Sequence, residues 1–338
     1  MAACMITDRA RQLIERLSTK RVLVVGDLML DEFIYGRVSR ISPEAPVPVV
    51  EVTRQVYYPG GAANVARNLR EFTASVGLMG LVGECEHAGR LRSLLAAQGI
   101  GLDGIQSDPA YQTIVKTRII ARQQHVVRVD RERKSAPPER VHASALAWLG
   151  AHIQEFDAVI LEDYGKGFLT QGFVDEIGRI TAGADRILTV DPNVHNPLRW
   201  PGATAIKPNR AEAFAAVGRQ PTEAIAPANT DPALAEVGAA LLQKWGAPML
   251  LVTLGEQGMM LFQRGQDAYA LPTRAQEVFD VSGAGDTVIA LFTLCLAADS
   301  TPEEAAEVAN HAAAVVVGKL GTATVTPAEL LASFAAHA

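Results

Sequence analysis

Short runs of β-branched and aliphatic residues alternate along the chain with longer stretches rich in alanine and leucine. Such short runs are typical of strands buried on both faces, and the longer stretches have the length of helices. The predicted central strands are residues 22–25, 76–81, 158–161, 187–190, 203–206 and 249–253. The predicted helices are residues 62–71, 91–98, 143–155, 209–217, 232–245, 287–298 and 303–320. The pattern predicts an α/β fold with a doubly wound, mostly parallel sheet flanked by helices.

Two stretches interrupt this alternation. Residues 47–57 and 115–129 are long, β-rich and partly polar, and neither has a helical pattern beside it. We expect them to lie together in a small separate sheet, formed by about 33–58 and 113–130, that acts as a lid. The whole chain, 1–338, is otherwise predicted to be one domain.

The overall charge limits the classes of partner. The 338 residues include 31 lysines and arginines against 37 aspartates and glutamates, which gives a net charge of -6. An acidic surface of this kind has no electrostatic footprint for nucleic acid or for an anionic membrane. We therefore expect neither partner, and any anion site must be local.

Cysteine usage and the chain start indicate the compartment. Cys4, Cys85 and Cys295 form no CxxC pair, so neither a zinc knuckle nor a disulfide framework is indicated. The longest apolar run, 288–298, is shorter than the ~18 residues of a membrane span. Residues 1–12 have no apolar block before a cleavage site, so no signal peptide is predicted. A cytoplasmic location is expected.

A glycine-rich segment, Asp280-Val-Ser-Gly-Ala-Gly-Asp286, directly precedes the predicted helix 287–298. Unpaired N–H groups and the helix dipole at such a helix start favour an anion. Because Asp286 would repel phosphate, its carboxylate makes sense as a general base beside a transferring phosphoryl group. A plain glycine-rich turn with an acid in the first helical turn fits the segment equally well when it is taken alone.

Two further segments place polar groups beside predicted strands and helices. Pro59-Gly-Gly-Ala-Ala-Asn64 opens a helix, where Gly60 and Gly61 would let a ligand approach the backbone and Asn64 offers a donor and an acceptor to hydroxyls. Gly26-Asp-Leu-Met-Leu-Asp31 follows the first strand, at the edge where open α/β sheets bind ligands. Taken alone, a tight turn and a capping aspartate explain these two segments as well.

In this order, the three segments resemble those of the ribokinase-like (PfkB) carbohydrate kinases, and the resemblance covers nearly the whole chain. The other matching segments are Lys207-Pro-Asn-Arg-Ala-Glu212, Asp163-Tyr-Gly-Lys-Gly167, Asp191-Pro-Asn193 and Val252-Thr-Leu-Gly-Glu-Gln-Gly258. The resemblance implies a ribokinase-like fold and an enzyme that transfers a phosphoryl group from ATP to a sugar, with Mg²⁺ as cofactor.

Within the family, residues 35–49 and 315–322 look like the heptose 7-phosphate kinases of lipopolysaccharide precursor synthesis. The resemblance implies phosphorylation of the anomeric hydroxyl of D-glycero-D-manno-heptose 7-phosphate to the 1,7-bisphosphate. A hexose phosphate or another simple sugar is the alternative substrate. Many relatives carry a nucleotidyltransferase domain after the kinase, and because few residues follow Gly321, the kinase-only form is expected.

The resemblance also implies a role for each matching residue. Asp286 is the expected catalytic base, and the N–H groups of the glycine-rich segment would hold the charge on the transferred group. The residues of that cradle are Gly283, Ala284 and Gly285. Those expected at the nucleotide are Asn209, Glu212, Thr253, Gly255, Gly258 and Asn310. Those expected at the sugar hydroxyls are Asp27, Gly60, Gly61 and Asn64.

Two ion sites follow from the same resemblance. Glu212 would hold Mg²⁺ through waters, because Mg²⁺ keeps several waters and uses few protein carboxylates. Without the resemblance, Asn209 and Glu212 fit better as a helix N-cap with an acid at the third position. The resemblance leaves open a monovalent cation, K⁺, near Asp280 and Ser282.

A sugar that already carries phosphate needs a second anion site. Residues 116–134 contain seven lysines and arginines against Asp130 and Glu132. Most of these cations are expected to be solvated, and some to close over the phosphate. The candidates are Lys116, Arg118, Arg122, Arg128, Arg37, Arg40 and Lys166.

The lid is also expected to bind a second subunit. A lid face that contains Val47, Val49 and Val126 would be too apolar to remain exposed. Because lids of this family commonly pair with the lid of a second copy, we predict a homodimer through this sheet.

One segment departs from the family pattern. In Gly83-Glu-Cys-Glu-His-Ala-Gly89, Cys85 stands where relatives usually have aspartate, which predicts a substituted surface turn. Cys85 and His87 make only a weak nucleophile pair, because the segment offers no residue to orient them.

Two other classes of function have less support in the sequence. An NAD-type oxidoreductase lacks support because residues 25–31 have no GxGxxG. A non-catalytic sugar-phosphate sensor would not need Asp286, so the enzyme is favoured.

Overall fold

The chain alternates strands and helices over most of its length. The computed structural model describes residues 7–121 and 124–337. In these ranges the strands are β1 (Arg21–Gly26), β2 (Leu28–Ile41), β3 (Pro48–Gly61), β4 (Ser75–Val82), β5 (Gly101–Ser107), β6 (Ile114–Ala121), β7 (Gln124–Arg131), β8 (Ala158–Glu162), β9 (Ile187–Asp191), β10 (Ala205–Ile206), β11 (Met249–Thr253), β12 (Met259–Gln263) and β13 (Tyr269–Leu271). The helices are α1 (Thr7–Leu17), α2 (Ala62–Arg70), α3 (Glu86–Ala97), α4 (Glu139–His152), α5 (Gln171–Gly183), α6 (Arg210–Ala216), α7 (Pro232–Trp245), α8 (Ala284–Ala297), α9 (Pro302–Val317) and α10 (Pro327–Ala336).

Nine strands form the main sheet, in the order β13-β12-β11-β10-β9-β8-β1-β4-β5. The strands from β11 to β5 are parallel, whereas β12 and β13 join one edge in antiparallel pairing. All five residues of β8 are buried, as expected where helices cover both faces of a sheet. The predicted fold class, a mostly parallel sheet flanked by helices, is confirmed.

Alternate residues of the central strand β1 contribute to two separate cores. Val22 and Val24 pack in the cluster that includes α1, α2, α3, α8, α9 and α10. Leu23 and Val25 pack in the cluster that includes α4, α5, α6 and α7. The strand therefore fixes which helices lie on each face of the sheet.

A second sheet has four strands in the order β3-β2-β6-β7. Strand β3 contains residues 48–57 of the first predicted β-rich stretch, and β6 and β7 contain the described residues of the second, 115–121 and 124–129. β2 pairs in parallel with β6 and antiparallel with β3, so Asp31 lies opposite Lys116 on one side and Tyr58 on the other. The sheet joins the main body at the start of β2 and the end of β3, beside Asp27 and Gly61.

Several element bounds differ from the sequence prediction. Helix α3 begins at Glu86 instead of residue 91; Gly89 in its first turn weakens the helical pattern there. Strand β10 has only Ala205–Ile206, because the N–H of Ala203 bonds in a turn to the carbonyl of Trp200. The pattern also missed elements with little periodicity or many polar residues, namely α1, α5, α10, β5, β12 and β13.

No helix within residues 7–121 or 124–337 combines the length and hydropathy needed to cross a bilayer.

Candidate active site

Asp286 lies in the first turn of α8, at the carboxyl edge of the main sheet. Gly283 precedes the helix in the left-handed conformation, with φ of 80°. A Cβ atom at that position would stand 2.9 Å from Nδ2 of Asn64. Glycine is therefore needed here both for the backbone turn and for the close approach of Asn64.

The carboxylate of Asp286 is held by two donors from distant parts of the chain. Nδ2 of Asn64 donates to its Oδ2 at 2.6 Å. The hydroxyl of Tyr164 donates to its Oδ1 at 2.9 Å. Burial raises the pKa of Asp286, and these two hydrogen bonds oppose that rise. An oriented carboxylate with a raised pKa suits a general base.

The glycine-rich cradle differs in part from its prediction. The N–H of Ala284 donates to the carbonyl of Val281 at 3.3 Å, so this donor is engaged within the turn. Gly285 and Asp286 follow in the first turn of α8, where N–H groups have no acceptor within the helix. The local anion site therefore rests on these later positions more than on Ala284.

A cavity of about 420 Å³ lies beside the start of α8. Its wall includes four residues predicted at the nucleotide: Thr253, Gly255, Gly258 and Asn310. Ala284 and Gly285 line the same cavity. The side-chain amide of Asn310 donates to the carbonyl of Pro272 at 2.8 Å. Most of the lining is apolar, which fits a base-sized aromatic ring.

Gly258 in this wall tolerates no side chain. Its φ is +86°, and a Cβ atom would stand 2.0 Å from the carbonyl oxygen of Leu271. The glycine thus lets β11 turn back tightly into β12 beside the cavity.

A second cavity, of about 530 Å³, adjoins the first and contains Asp286. The two cavities share Thr253, Gly255 and Gly285 in their walls. Asn209 and Glu212 also line the second cavity. The structure thus brings the predicted base, the glycine-rich turn and the Asn209–Glu212 pair around one continuous space.

Asn209 and Glu212 form the capping box that the sequence allowed. Oδ1 of Asn209 accepts from the N–H of Glu212 at 2.9 Å, and the N–H of Asn209 donates to Oε2 of Glu212 at 2.8 Å. This arrangement fixes both side chains at the start of α6. The capping box uses Oδ1 of Asn209 and Oε2 of Glu212, which leaves the NH₂ group of Asn209 and Oε1 of Glu212 outside it. The pair can therefore cap the helix and also line the cavity.

The donors around the second cavity fit a hard divalent cation. Carboxylate oxygens of Glu162, Asp191 and Glu212 line its wall, and Oε2 of Glu162 is buried without a hydrogen-bond partner among the described residues. No cluster of three closely spaced acidic, histidine or cysteine side chains occurs in the part of the chain that the structure describes. A cation bound largely through waters matches a wall whose carboxyl groups form no close cluster within the described residues.

Lys207 is a functional candidate that the sequence analysis named only within a matching segment. It is buried, and its Nζ forms an ion pair of 2.8 Å with Oδ2 of Asp191. Burial lowers the pKa of Lys207, but the neighbouring carboxylate outweighs it and the net shift is upward. A Cβ atom at Gly285 would lie 3.4 Å from this Nζ, so the ammonium lies against the glycine-rich turn. Its position two residues before Asn209 is the signal that pointed to it.

Asp27 anchors the loop whose Tyr164 contacts the carboxylate of Asp286. It is buried, and its oxygens accept from the N–H groups of Tyr164, Lys166 and Phe168 at 3.0–3.2 Å. Burial raises the pKa of Asp27, and these hydrogen bonds oppose the rise. With most of its acceptor capacity used by the loop, Asp27 has little left for a sugar hydroxyl.

Gly60 and Gly61 pack tightly against the acids of the 26–31 segment. A Cβ at Gly60 would stand 2.2 Å from Oδ2 of Asp31, and one at Gly61 would stand 2.5 Å from the carbonyl of Asp27. Internal packing alone therefore requires glycine at both positions, in addition to any need for ligand access.

Three of the seven candidate cations form ion pairs with acids. Arg118 contacts Asp31, and its guanidinium lies 5.1 Å from the ring centre of Phe33. The other pairs are Lys166 with Glu132 and Arg128 with Asp130. Arg37 and Arg40 are exposed on the distal part of β2. Arg122 lies outside the described residues.

Lys116 is different. It forms no ion pair within residues 7–121 and 124–337, and its Nζ lies 5.5 Å from the ring centre of Tyr164. Burial lowers the pKa of Lys116. Asp31, Asp130 and Glu132 act on it only at longer range, so this half-buried ammonium is available to an anionic ligand.

The segment around Cys85 is the start of a helix. Cys85 is the N-cap of α3, and its Sγ contacts Oγ1 of Thr113 at 3.4 Å. Neither Cys85 nor His87 lines the two cavities around Asp286. The geometry gives no support to a nucleophile at this position. Cys4 lies outside the described residues.

The chain was compared with known proteins. Residues 19–329 match the pfkB family carbohydrate kinases. The bifunctional protein HldE of Desulfatibacillum aliphaticivorans is 42% identical over 93% of this chain and 63% of its own length. The bifunctional protein HldE of Klebsiella pneumoniae is 43% identical over 91% of this chain and 62% of its own length. The chain therefore spans less than two thirds of these relatives.

Solved structures with the same fold share little sequence with the chain. Arabidopsis thaliana ribokinase complexed with ribose and ATP superposes with a TM-score of 0.69 at 17% identity, covering 93% of this chain and 98% of the ribokinase. Phosphofructokinase-2 from Escherichia coli in complex with potassium gives 0.68 at 18% identity, covering 94% and 98%. These structures establish the ribokinase-like fold, and the family match over most of the sequence shows that the chain belongs to the PfkB family of carbohydrate kinases.

Proposed function

We propose that the protein transfers the γ-phosphoryl group of ATP to the anomeric hydroxyl of D-glycero-D-manno-heptose 7-phosphate. The product is the 1,7-bisphosphate, which serves ADP-heptose and lipopolysaccharide core synthesis. The observation that carries this proposal is the pair of adjoining cavities that meet at Gly285, with Asp286 in one and an apolar, base-sized wall in the other. This arrangement supports Asp286 as the general base and the apolar cavity as the nucleotide pocket.

In the proposed reaction, Asp286 accepts the proton of the anomeric hydroxyl as that oxygen attacks the γ-phosphorus. The N–H groups of Gly285 and Asp286 and the ammonium of Lys207 stabilise the negative charge on the transferred group. Thr253, Gly255, Gly258 and Asn310 hold the nucleotide. Glu212 holds Mg²⁺ through waters, and that ion neutralises phosphate charge when it is bound.

Three observations support a heptose 7-phosphate as the acceptor. Relatives named HldE match over more than nine tenths of this chain. Segments 35–49 and 315–322 look like the heptose 7-phosphate kinases. Lys116 forms no ion pair with the other described residues and lies 5.5 Å from the ring of Tyr164, whose hydroxyl contacts Asp286, so its ammonium would give the phosphate of the sugar a counter-charge.

The proposal includes a homodimer through the second sheet, acting as a lid. Val47 and Val126 are exposed, and Val49 is half-buried. Other hydrophobic side chains of this sheet are also exposed to solvent, among them Val52 at 61% and Val127 at 47%. Side chains of this kind favour burial against a second copy.

A K⁺ site near Asp280 is part of the same proposal. Both oxygens of the Asp280 carboxylate accept hydrogen bonds from backbone N–H groups, those of Ser282 and Gly321.

The proposal is tested by ATP consumption with purified protein, Mg²⁺ and a panel of acceptors, with and without K⁺. The panel contains heptose 7-phosphate, free heptose, fructose 6-phosphate, glucose 6-phosphate and ribose. We expect the highest kcat/KM for heptose 7-phosphate. A preference for a hexose phosphate or simple sugar would select the alternative substrate, and binding of sugar phosphate without turnover would indicate a non-catalytic protein.

A further inference from the structure

Tyr164 connects three parts of the site although no role was assigned to it from the sequence. Its hydroxyl donates to Oδ1 of Asp286 at 2.9 Å, and its N–H donates to Oδ2 of Asp27 at 3.1 Å. Its ring lies 5.5 Å from Nζ of Lys116 on β6. The residue therefore contacts the catalytic carboxylate, the anchoring aspartate and the unpaired cation of the second sheet.

The hydroxyl of Tyr164 fixes the orientation of the Asp286 carboxylate together with Asn64. Asn64 occupies Oδ2 of Asp286 and Tyr164 occupies Oδ1, so the plane of the carboxylate is fixed from both sides. A carboxylate oxygen has two lone pairs, so one hydrogen bond leaves each oxygen free to accept a proton. Without the tyrosine donor, Asn64 alone would leave the group free to rotate and would leave a buried oxygen unsatisfied.

We infer that Tyr164 is a positioning residue for Asp286: its hydroxyl orients the carboxylate toward the sugar hydroxyl and favours its charged form. This inference rests on the proposed function, in which Asp286 is the base. The loop that carries Tyr164 is anchored separately, by backbone N–H groups on Asp27. Loss of the hydroxyl therefore should not disorder the loop.

The charged groups around Tyr164 and Asp286 set the direction in which loss of the tyrosine hydroxyl shifts the pH dependence of kcat. Lys207 faces Asp286 from the segment before α6 and favours the charged carboxylate, whereas Asp31 of β2 opposes it. Glu162 of β8 and Asp191 of β9 line the same cavity, and burial raises the pKa of both carboxyl groups, that of Asp191 to about 7. Lys116 faces the tyrosine ring from β6. With all of these unchanged, removal of one donor raises the pKa of Asp286, and the acid limb of the kcat profile moves to higher pH.

The test compares Tyr164→Phe with Tyr269→Phe. Tyr269 lies in β13, and its hydroxyl donates to Oε1 of Glu307 at 2.9 Å, so the control variant also removes a hydrogen bond to a carboxylate. For Tyr164→Phe we expect kcat to fall about tenfold to a hundredfold, the range for a hydrogen bond to a charged group. The KM for ATP should change less than about twofold, and the acid limb should move upward. Tyr269→Phe should match the wild type in kcat, KM and pH profile.

A second variant covers the case in which Tyr164→Phe does not fold, as judged by thermal melting. Replacing Tyr164 with 3-fluorotyrosine keeps the ring and makes the hydroxyl a stronger donor, so the acid limb should move to lower pH. The inference is overturned if Tyr164→Phe keeps wild-type kcat and pH profile, or if the fluorinated protein shows no shift. If Asp286→Asn remains active, the proposed base is wrong. If Asp286→Asn is inactive but Tyr164→Phe keeps the wild-type kcat and pH profile, only the positioning role of Tyr164 is wrong.

Discussion

The side-chain amide of Asn64, in α2, donates a 2.6 Å hydrogen bond to Oδ2 of Asp286, in α8. The bond joins two segments 222 residues apart in sequence. Asn64 in turn accepts from Arg67 at 3.0 Å, so its amide orientation is fixed with the NH₂ group toward the carboxylate. The segment expected to bind sugar hydroxyls thus also orients the carboxylate of Asp286.

Asp286→Asn tests the base directly. The amide keeps the size of the side chain and removes its basicity, so kcat should fall by about 10²- to 10⁴-fold. Nucleotide affinity should stay nearly intact because the apolar cavity wall is unchanged. Steady-state kinetics and nucleotide titration measure the two effects. Turnover above a tenth of the wild-type value would show that Asp286 is not the base.

Charging the exposed face of the second sheet should dissociate the proposed homodimer. Val127 is 47% exposed in β7, and Val127→Asp would place a carboxylate in the subunit interface. Ile225, 45% exposed in a loop outside this sheet, gives the matched control Ile225→Asp. Sedimentation at micromolar concentration should show dimers for the wild type and the control and monomers for Val127→Asp. A monomeric wild type would contradict the proposed dimer.

His311 should make stability depend on pH. It is 1% exposed and its ring stacks on Phe334 at 3.9 Å, and burial lowers its pKa to about 3. The unfolded chain binds a proton near the ordinary pKa of about 6.5, whereas the folded protein does not until about pH 3. The free energy of unfolding should therefore fall as pH drops from about 6.5 toward 3, by at most about 1.4 kcal/mol per pH unit.

Urea unfolding at several pH values measures this dependence. In His311→Gln the part of the slope that comes from His311 should disappear, even if the variant is less stable overall. His195 is exposed, so His195→Gln is the control and should keep the wild-type slope. Equal slopes in the wild type and His311→Gln would rule out this histidine as the source.

Lys116 should discriminate phosphorylated from free sugar. Its ammonium has no counter-ion among the described residues, in contrast to Arg118, which contacts Asp31. Lys116→Met keeps much of the side-chain length and should cost about 1.5 to 3 kcal/mol in kcat/KM for heptose 7-phosphate, with almost no effect on free heptose. Arg37→Met, on the exposed distal part of β2, is the control. An equal loss on both sugars would assign Lys116 a structural role only.

Much of the fold follows from local pattern. Helix α7 spans the same residues as its prediction, because Asp231 caps it, Pro232 starts it and Gly246 ends it in the left-handed conformation. Strands such as β8 are continuous apolar runs that only a doubly covered sheet accommodates. In contrast, β5 is an edge strand with two glycines, and three glycines reduce the helix propensity of α5 although its buried residues share one face.

The candidate site is less predictable, since its contacts depend on strand register and loop geometry. Sequence identified Asp286 and the residues of the nucleotide cavity through their motifs. The sequence did not reveal that Asp31 lies opposite Lys116 in the register of β2 and β6 but forms its ion pair with Arg118. Which of the two cations pairs with Asp31 depends on side-chain geometry between the two strands. The contact of Tyr164 with Asp286 likewise arises only when two strand ends and α8 converge.

The most direct test of the central claim is the identity of the product. Wild-type protein with ATP, Mg²⁺ and heptose 7-phosphate is followed by phosphorus NMR, with Asp286→Asn as the control. We predict a new phosphate signal coupled to the anomeric proton, equal in amount to the ADP formed, while the 7-phosphate signal remains. Absence of that signal, or phosphorylation at another hydroxyl, would contradict the proposed function.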